Sequence, residues 1–227
     1  MTSGWHFAKT GPDGAPVLRD GTPARPGIVR VKGPIVLCAQ GLHASARVID
    51  ALDYAPGPWL SRVTLRGEII HGGDKMVAIE REAEGYKDML PVLQEFAVRC
   101  AVRALEHERD TGRAPDERSW TVCDLALGWL AGVVDMETLR TATADAATAV
   151  YTASAAVYAA YATADAATRA AHAAAYAVDA AHATDAARVA ASVAAYVAAR
   201  AAVYVIERAA QNDELEEMVF AAYETKR

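Results

Sequence analysis

The stretch from Trp59 to Glu80, WLSRVTLRGEIIHGGDKMVAIE, predicts the local architecture of the first part of the chain. Its first eight residues place Trp, Ser, Val and Leu on one face and Leu, Arg, Thr and Arg on the other, an alternation that is typical of a strand. Gly67 either continues this strand towards Ile70 or forms a bulge in it. After the turn sequence His71-Gly-Gly-Asp, Met76–Glu80 supplies another predicted strand.

The residues before this stretch predict further strands and one helix. The strands are expected at Trp5–Phe7, Ile28–Lys32 and Pro34–Cys38. Ser45 is a candidate N-cap for a helix whose apolar stripe contains Val48, Ile49 and Leu52, and the Pro/Gly cluster Ala55–Pro58 ends that helix. Residues 1–85 are therefore predicted to be a small mixed α/β unit.

From Asp88 the hydrophobic period becomes helical. Apolar residues recur at steps of three and four on one face: Met89, Leu93, Phe96, Cys100 and Ala104. Asp116 is predicted to cap a second helix that ends at Gly132, and a further helix restarts at Asp135. The predicted apolar stripe of the second helix is Trp120, Cys123, Leu127 and Leu130.

The last third of the chain is dominated by alanine. No glycine or proline follows Met136, and half of residues 141–210 are alanine, so this segment is predicted to be helical. Asp-Ala-Ala triplets begin at Asp145, Asp165 and Asp185 and give a weak repeat of 20 residues. Because Thr and Asp are good N-cap residues, at least one break is expected near these triplets.

The larger side chains of this segment are expected to fill the gaps of an Ala-rich helical bundle. Its tyrosines are either core residues with hydroxyls at the bundle edge or an interaction surface, and the candidates are Tyr151, Tyr158, Tyr161, Tyr176, Tyr196 and Tyr204. The predicted fold class is α+β, with a small mixed α/β domain at 1–85 followed by an all-α, Ala-rich helical bundle at 86–227.

Charge and composition argue against several classes of function. The net charge of −6 argues against a general nucleic-acid binder. Three widely spaced cysteines suggest no zinc site or disulfide framework. His172 and His182 are roughly 80° away from sharing a helix face, which does not suit a metal pair. Charged residues interrupt every apolar window, and no signal peptide is predicted, so we expect a cytosolic protein without a membrane span, cofactor or metal.

Two parts of the chain resemble known families. The sequences VKGPIVLCAQGLHAS (31–45), ALDYAPGP (51–58), RVTLRGEII (62–70) and DKMVAIER (74–81) resemble a domain of unknown function that is common in bacteriophage and prophage proteins. The resemblance covers roughly residues 5–82 and implies no established activity. Residues 94–210, with EFAVRCAVRAL (95–105) and LGWLAGVVD (127–135), are similar to all-helical, Ala-rich immunity proteins of bacterial toxin systems.

These observations leave two hypotheses of function. The first is a non-enzymatic, phage- or prophage-encoded interaction protein that binds a protein partner or itself through the Ala-rich helices, as a homo-oligomer. The alternative is a small-molecule or nucleotide binder, or an enzyme resembling ADP-ribosyltransferases, with a pocket near His43. The candidate catalytic residues are His43, Tyr54 and Glu80. A purely structural role is also predicted for these residues, in which His43 bonds the backbone near Gly41 and Asp74–Arg81 forms a surface ion-pair ladder.

Overall fold

The computed structural model describes residues 1–110, 112, 114–156 and 204–224. The chain contains an antiparallel sheet together with helices and is of the α+β class. It divides into two compact units, Met1–Leu90 with Asn212–Arg227, and Pro91–Gln211. The first unit thus includes a C-terminal segment that the sequence alone places in the helical domain.

A seven-stranded sheet forms the centre of the first unit. Its strands are β1 (Thr2–Thr10), β2 (Pro16–Val17), β3 (Gly27–Arg30), β4 (Leu42–Ala44), β5 (Trp59–His71), β6 (Met76–Ala83) and β7 (Lys87–Asp88). The main order is β2-β1-β5-β6-β3, while β4 also pairs with β6 and β7 with β5. Every one of these pairs is antiparallel.

The central pair β5–β6 confirms the strand, turn and strand predicted from Trp59–Glu80. The pairing runs from Val63 opposite Ala83 to His71 opposite Met76, and the register shifts between Arg66 and Ile69. Of the two alternatives left open at Gly67, the shift favours a bulge within a strand that continues to His71. Val63 and Leu65 are fully buried in the core of the unit, because successive strand residues face opposite sides and these two face the core.

Two details of the N-terminal prediction are wrong. Pro34–Cys38 is not a strand, because the Val36 amide donates to Gln40 O at 2.7 Å and closes a turn, and the strand β4 begins only at Leu42. Ser45 does not cap the helix α1 (Val48–Leu52), whose N-cap is Arg47 without a side-chain hydrogen bond. The Ser45 backbone instead pairs with Trp5 of β1.

The second unit contains three described helices near its start: α2 (Leu90–Asp110), α3 (Glu117–Leu130) and α4 (Met136–Ala156). Leu93, Phe96, Cys100 and Ala104 are buried, which confirms the predicted face of α2. Asp116 caps α3 as predicted, since its side chain accepts a hydrogen bond from the Arg118 amide. The predicted stripe of α3 is partly wrong: Leu127 is exposed, and the buried residues are Ser119, Val122, Cys123 and Ala126.

The Ala-rich segment is described at its two ends. Helix α4 runs without a break through Asp145, so that aspartate lies within a helix and does not cap one. The helix α5 (Tyr204–Glu224) ends against the sheet of the first unit, where the Tyr223 hydroxyl donates to Leu60 O at 2.7 Å. Trp5 contacts the edge of Phe220 at a ring-centre distance of 5.6 Å. None of the described helices is long and apolar enough to cross a membrane.

Candidate functional site

A cavity of about 450 Å³ opens in the first unit, beside strands β1, β4 and β6. Its walls come from Trp5–Phe7 of β1, the loop residues Leu18–Asp20 and the segment around β4 from Cys38 to Ser45. Ala51 of α1, Tyr54, Lys75 just before β6 and Arg81 within β6 complete the lining. A volume of this size lies within the range of roughly 300–1,000 Å³ that is usual for small-molecule sites. The lining combines apolar and aromatic side chains with the charged side chains of Arg19, Lys75 and Arg81.

Two glycines allow the backbone segments of this wall to approach one another. A Cβ atom on Gly4 would lie 2.7 Å from the carbonyl oxygen of Ser45. That oxygen accepts a hydrogen bond from the Trp5 amide of β1. Gly41 has φ +125°, and a Cβ there would lie 2.4 Å from Cγ2 of Val77. Because only glycine tolerates both that φ and that contact, Gly41 directs the chain into β4 and places His43 at the cavity.

Arg81 is the most deeply buried charged residue of the cavity, with 5% of its surface exposed. Its Nη1 donates to His43 O at 2.8 Å. In the described part of the chain no carboxylate lies within ion-pairing distance of this guanidinium. Burial lowers the pKa of Arg81, and the charge interaction with Tyr86 only partly counteracts the effect.

The neighbours of Arg81 on β6 carry carboxylates that are engaged elsewhere. Glu80 pairs with Arg30 at 2.6 Å and lies 3.9 Å from Arg66, which also forms an ion pair with Glu82. Since side chains alternate along a strand, these pairs lie on the opposite face of the sheet from Arg81. The guanidinium is therefore held in the cavity without a counter-charge from its own strand.

Two further cations stand at the exposed side of the cavity. Arg19 donates from Nη2 to Tyr54 O at 2.7 Å, and the Lys75 ammonium lies 3.8 Å above the centre of the Tyr54 ring. The Tyr54 hydroxyl donates to the carboxylate of Asp74. Tyr54 thus positions both cations, one through its carbonyl and one through its ring.

His43 uses its ring to hold the neighbouring backbone. Its Nε2 accepts from the Cys38 amide at 3.2 Å, so the neutral ring carries its proton on Nδ1. Burial lowers the pKa of His43, and the charges of Lys75, Arg81 and Arg19 act in the same direction, whereas a hydrogen bond with the Gly41 backbone raises it. His43 is therefore a neutral residue that orders this wall, in keeping with the structural role predicted near Gly41.

His6 lies on the same cavity from strand β1. Its Nδ1 is 3.0 Å from the hydroxyl of Tyr86. Burial lowers the pKa of His6 well below its usual value, and the positive charges of Arg81 and Arg19 lower it further. At neutral pH the cavity thus contains two neutral imidazoles beside its three cations.

The structure brings together only part of the predicted catalytic set. His43 and Tyr54 both line the cavity, but Glu80 does not, because it faces Arg30 and Arg66. The predicted surface ion-pair ladder Asp74–Arg81 is wrong: Glu80 forms its ion pairs with Arg30 and Arg66, outside that segment, and Arg81 is buried. Sequence reasoning missed Arg81 as a site residue, although strand alternation from the buried Val77 and Ala83 places it on an inward face.

Most of the tyrosines predicted as interaction residues lie outside the described residues. These are Tyr158, Tyr161, Tyr176 and Tyr196, and the same holds for His172, His182, Asp165 and Asp185. Tyr151 and Tyr204 lie on α4 and α5, and only their backbone positions are described. Among the described residues no group of three His, Cys, Asp or Glu side chains could hold a metal ion.

No family model, curated protein or solved structure matches this chain. What the cavity can do therefore follows from its own chemistry. Arg81, Arg19 and Lys75 are the charged donors that an anionic ligand would meet, and Trp5, Phe7 and Leu42 are the apolar surface that the rest of such a ligand would contact.

Proposed function

We propose that the first unit is a binding module for an anionic small molecule. The observation that carries the proposal is the guanidinium of Arg81, which lies buried in a cavity with no carboxylate partner in the described residues. Removing a charge from water is costly unless an opposite charge or several hydrogen bonds compensate it. An anionic ligand would supply the missing compensation.

The other charged residues of the lining also favour a negatively charged ligand. Arg19 and Lys75 add two cations at the exposed side, whereas Asp20 is the one carboxylate of the described lining. Clefts lined by one sign of charge attract ligands of the opposite sign and raise their local concentration. Binding is favoured over an ADP-ribosyltransferase-like reaction because Glu80, the predicted catalytic carboxylate, faces away from the cavity and forms ion pairs.

The test is a thermal-shift experiment on the full chain with phenyl phosphate, phenyl sulfate and benzoate, against the neutral benzamide. We expect at least one anion to raise Tm and benzamide to leave it unchanged. A ligand present at 100 times its Kd adds about 2.7 kcal/mol to the free energy of unfolding, which is easily detected.

Variants separate the cavity from non-specific salt effects. Arg81→Gln should abolish the shift, and Arg62→Gln should keep it, because Arg62 is an exposed arginine on β5 that does not line the cavity. Arg81→Lys, which retains the charge, should keep a reduced shift. If the anions stabilise Arg81→Gln as much as the unsubstituted protein, or if none of them acts, the proposal fails.

The interaction hypothesis for the Ala-rich helices remains a separate proposal. It rests on the long, low-charge helical sequence and on the resemblances to phage and immunity proteins. Light scattering coupled to size exclusion, applied to the full chain, tests it: a defined oligomer would support assembly through these helices, and a monomer that also captures no host protein would contradict it.

A further inference from the structure

The ionic charges around the cavity do not balance. Among the described residues three cations line it, Arg19, Lys75 and Arg81, against the single carboxylate of Asp20. Hydrogen bonds from the amide and hydroxyl of Thr22 lower the pKa of Asp20, so this group is ionised at neutral pH. His6 and His43 are neutral there because burial lowers both pKa values. Near neutral pH the lining thus carries an excess of two positive charges.

Two other carboxylates belong to neighbouring residues but do not line the cavity. Asp74 accepts a hydrogen bond from the Tyr54 hydroxyl, and Asp50 forms a bidentate pair with Arg47. Neither is a lining residue. The excess of positive charge is therefore a property of the described lining itself.

We infer that the ligand is an organic phosphate monoester, whose dianionic phosphate binds between Arg81 and Lys75. This inference rests on the proposed function and deepens it by naming the ligand class. Two negative charges match the excess of the lining, and complementary charge favours the ligand that cancels it.

The three cations come from three separate segments of the chain, which favours a tetrahedral group over a planar one. Arg81 reaches the cavity from the middle of β6, Lys75 from the residue before that strand, and Arg19 from the loop after β2. A planar carboxylate matches a single guanidinium edge, whereas a phosphate has three terminal oxygens that donors from several directions can share. Guanidinium and ammonium groups are both usual phosphate ligands.

The size of the cavity requires more than a phosphate. Its volume of about 450 Å³ compares with roughly 30 Å³ for one water molecule in the liquid. Trp5, Phe7, Leu18 and Leu42 also line it, so apolar surface remains for a carbon-containing part of the ligand. Inorganic phosphate alone would make no contact with this apolar surface.

The experiment compares phenyl phosphate with phenyl sulfate by calorimetric titration into the full chain. The two probes have the same shape, but at pH 7.5 the phosphate is a dianion and the sulfate a monoanion. We expect the phosphate to bind at least tenfold more tightly, and the ratio to shrink at pH 5.5, where the phosphate takes up a proton with a pKa of about 6. The ligand's own pKa lies inside this window, whereas burial lowers the pKa values of His6 and His43 from their usual value.

Lys75→Met supplies the matched variant. It should reduce the phosphate-to-sulfate ratio while retaining phenyl sulfate binding, and Lys32→Met, an exposed lysine outside the cavity, should leave the ratio unchanged. Equal affinity for the two esters would overturn the dianion inference while leaving the anion-binding proposal intact. Tighter binding of phthalate, a dianion whose charges lie on two separate planar carboxylates, would overturn the phosphate geometry.

Two further outcomes complete the test. Inorganic phosphate that binds as tightly as phenyl phosphate would overturn the organic part of the inference. The absence of binding by every anion, including benzoate, would instead overturn the proposed function itself.

Discussion

The guanidinium of Arg81 donates from Nη1 to the carbonyl oxygen of His43 at 2.8 Å, across the antiparallel pair of β6 and β4. The bond links a buried cation to the backbone of the short strand that forms one wall of the cavity. It satisfies one donor of a group that has five. Arg81 therefore has N–H donors left for a ligand. Replacing it should remove ligand binding while removing only one hydrogen bond from the ligand-free protein.

The first prediction concerns the stability of the ligand-free protein. Arg81→Met should lower the free energy of unfolding by no more than about 1 kcal/mol, or raise it, because the loss of one hydrogen bond is offset by the removal of a buried charge. Leu65→Ala, a fully buried core residue, should cost about 2–5 kcal/mol. Urea unfolding measures both values. A loss for Arg81→Met as large as that for Leu65→Ala would show that Arg81 is primarily a structural residue.

The second prediction concerns acid sensitivity through His6. Its pKa is lowered well below 6.5 in the folded protein by burial, and the charges of Arg81 and Arg19 add to the effect. The unfolded chain therefore binds a proton in a pH range where folded His6 stays neutral. Its contribution to stability is complete above pH 6.5 and is lost as the pH falls from there towards the folded pKa.

Urea midpoints at pH 7.5 and 5.5 check this effect. The drop between the two pH values should be smaller in His6→Gln than in the unsubstituted protein. His71→Gln, at the exposed end of β5, serves as the control and should leave the drop unchanged. An identical drop in His6→Gln and the unsubstituted protein would contradict the predicted role of His6.

The third prediction concerns thiol reactivity. Cys38 is exposed and lines the cavity, whereas Cys100 and Cys123 are fully buried. Burial also raises the pKa of Cys123 to about 12, which suppresses its reactive thiolate. One equivalent of an aromatic disulfide reagent should therefore react rapidly per folded chain, and Cys38→Ser should remove that phase. Phenyl phosphate should slow the reaction of Cys38. Rapid reaction of two or more thiols per chain would contradict the burial of Cys100 and Cys123.

The fourth prediction concerns the turn that leads into β4. Gly41→Ala should cost about 2–4 kcal/mol of unfolding free energy, because it adds a methyl group 2.4 Å from Val77 at φ +125°. Gly14→Ala is the matched control, since Gly14 has φ +81° but nothing within 4 Å of the added carbon. It should cost only about 1 kcal/mol, for the backbone conformation alone. Equal losses in thermal unfolding would mean that the contact with Val77 is unimportant.

Local sequence patterns were sufficient for the elements that depend on them. The alternation in Trp59–Arg66 predicted β5, Gly67 was a candidate position for a bulge, and the side chain of Asp116 predicted the start of α3. These predictions succeed because strand period, bulge and cap are properties of a few neighbouring residues. The stripe of α3 was less predictable, since the face that is buried depends on how the helix packs against α4.

The cavity was only partly predictable. His43 and Tyr54 were expected near a pocket, and both line it, but Glu80 and Arg81 are adjacent in sequence and have opposite environments. One residue along a strand changes the face, and the pairing of β6 with β4 brings His43 to the buried Arg81. That pairing joins residues more than 30 positions apart, and no local pattern encodes it.

The amino-acid sequence by itself determined that the chain combines strands in its first part with helices after Asp88, because hydrophobic period and glycine and proline content act over short distances. Only the tertiary structure decided that Trp5, Cys38, Lys75 and Arg81 share one cavity, and that α5 ends against β1 and β5. Those relationships come from antiparallel pairing and from core burial, which join distant segments through hydrogen bonds and apolar contacts. That Arg81 is buried without a carboxylate partner among the described residues follows only from these contacts.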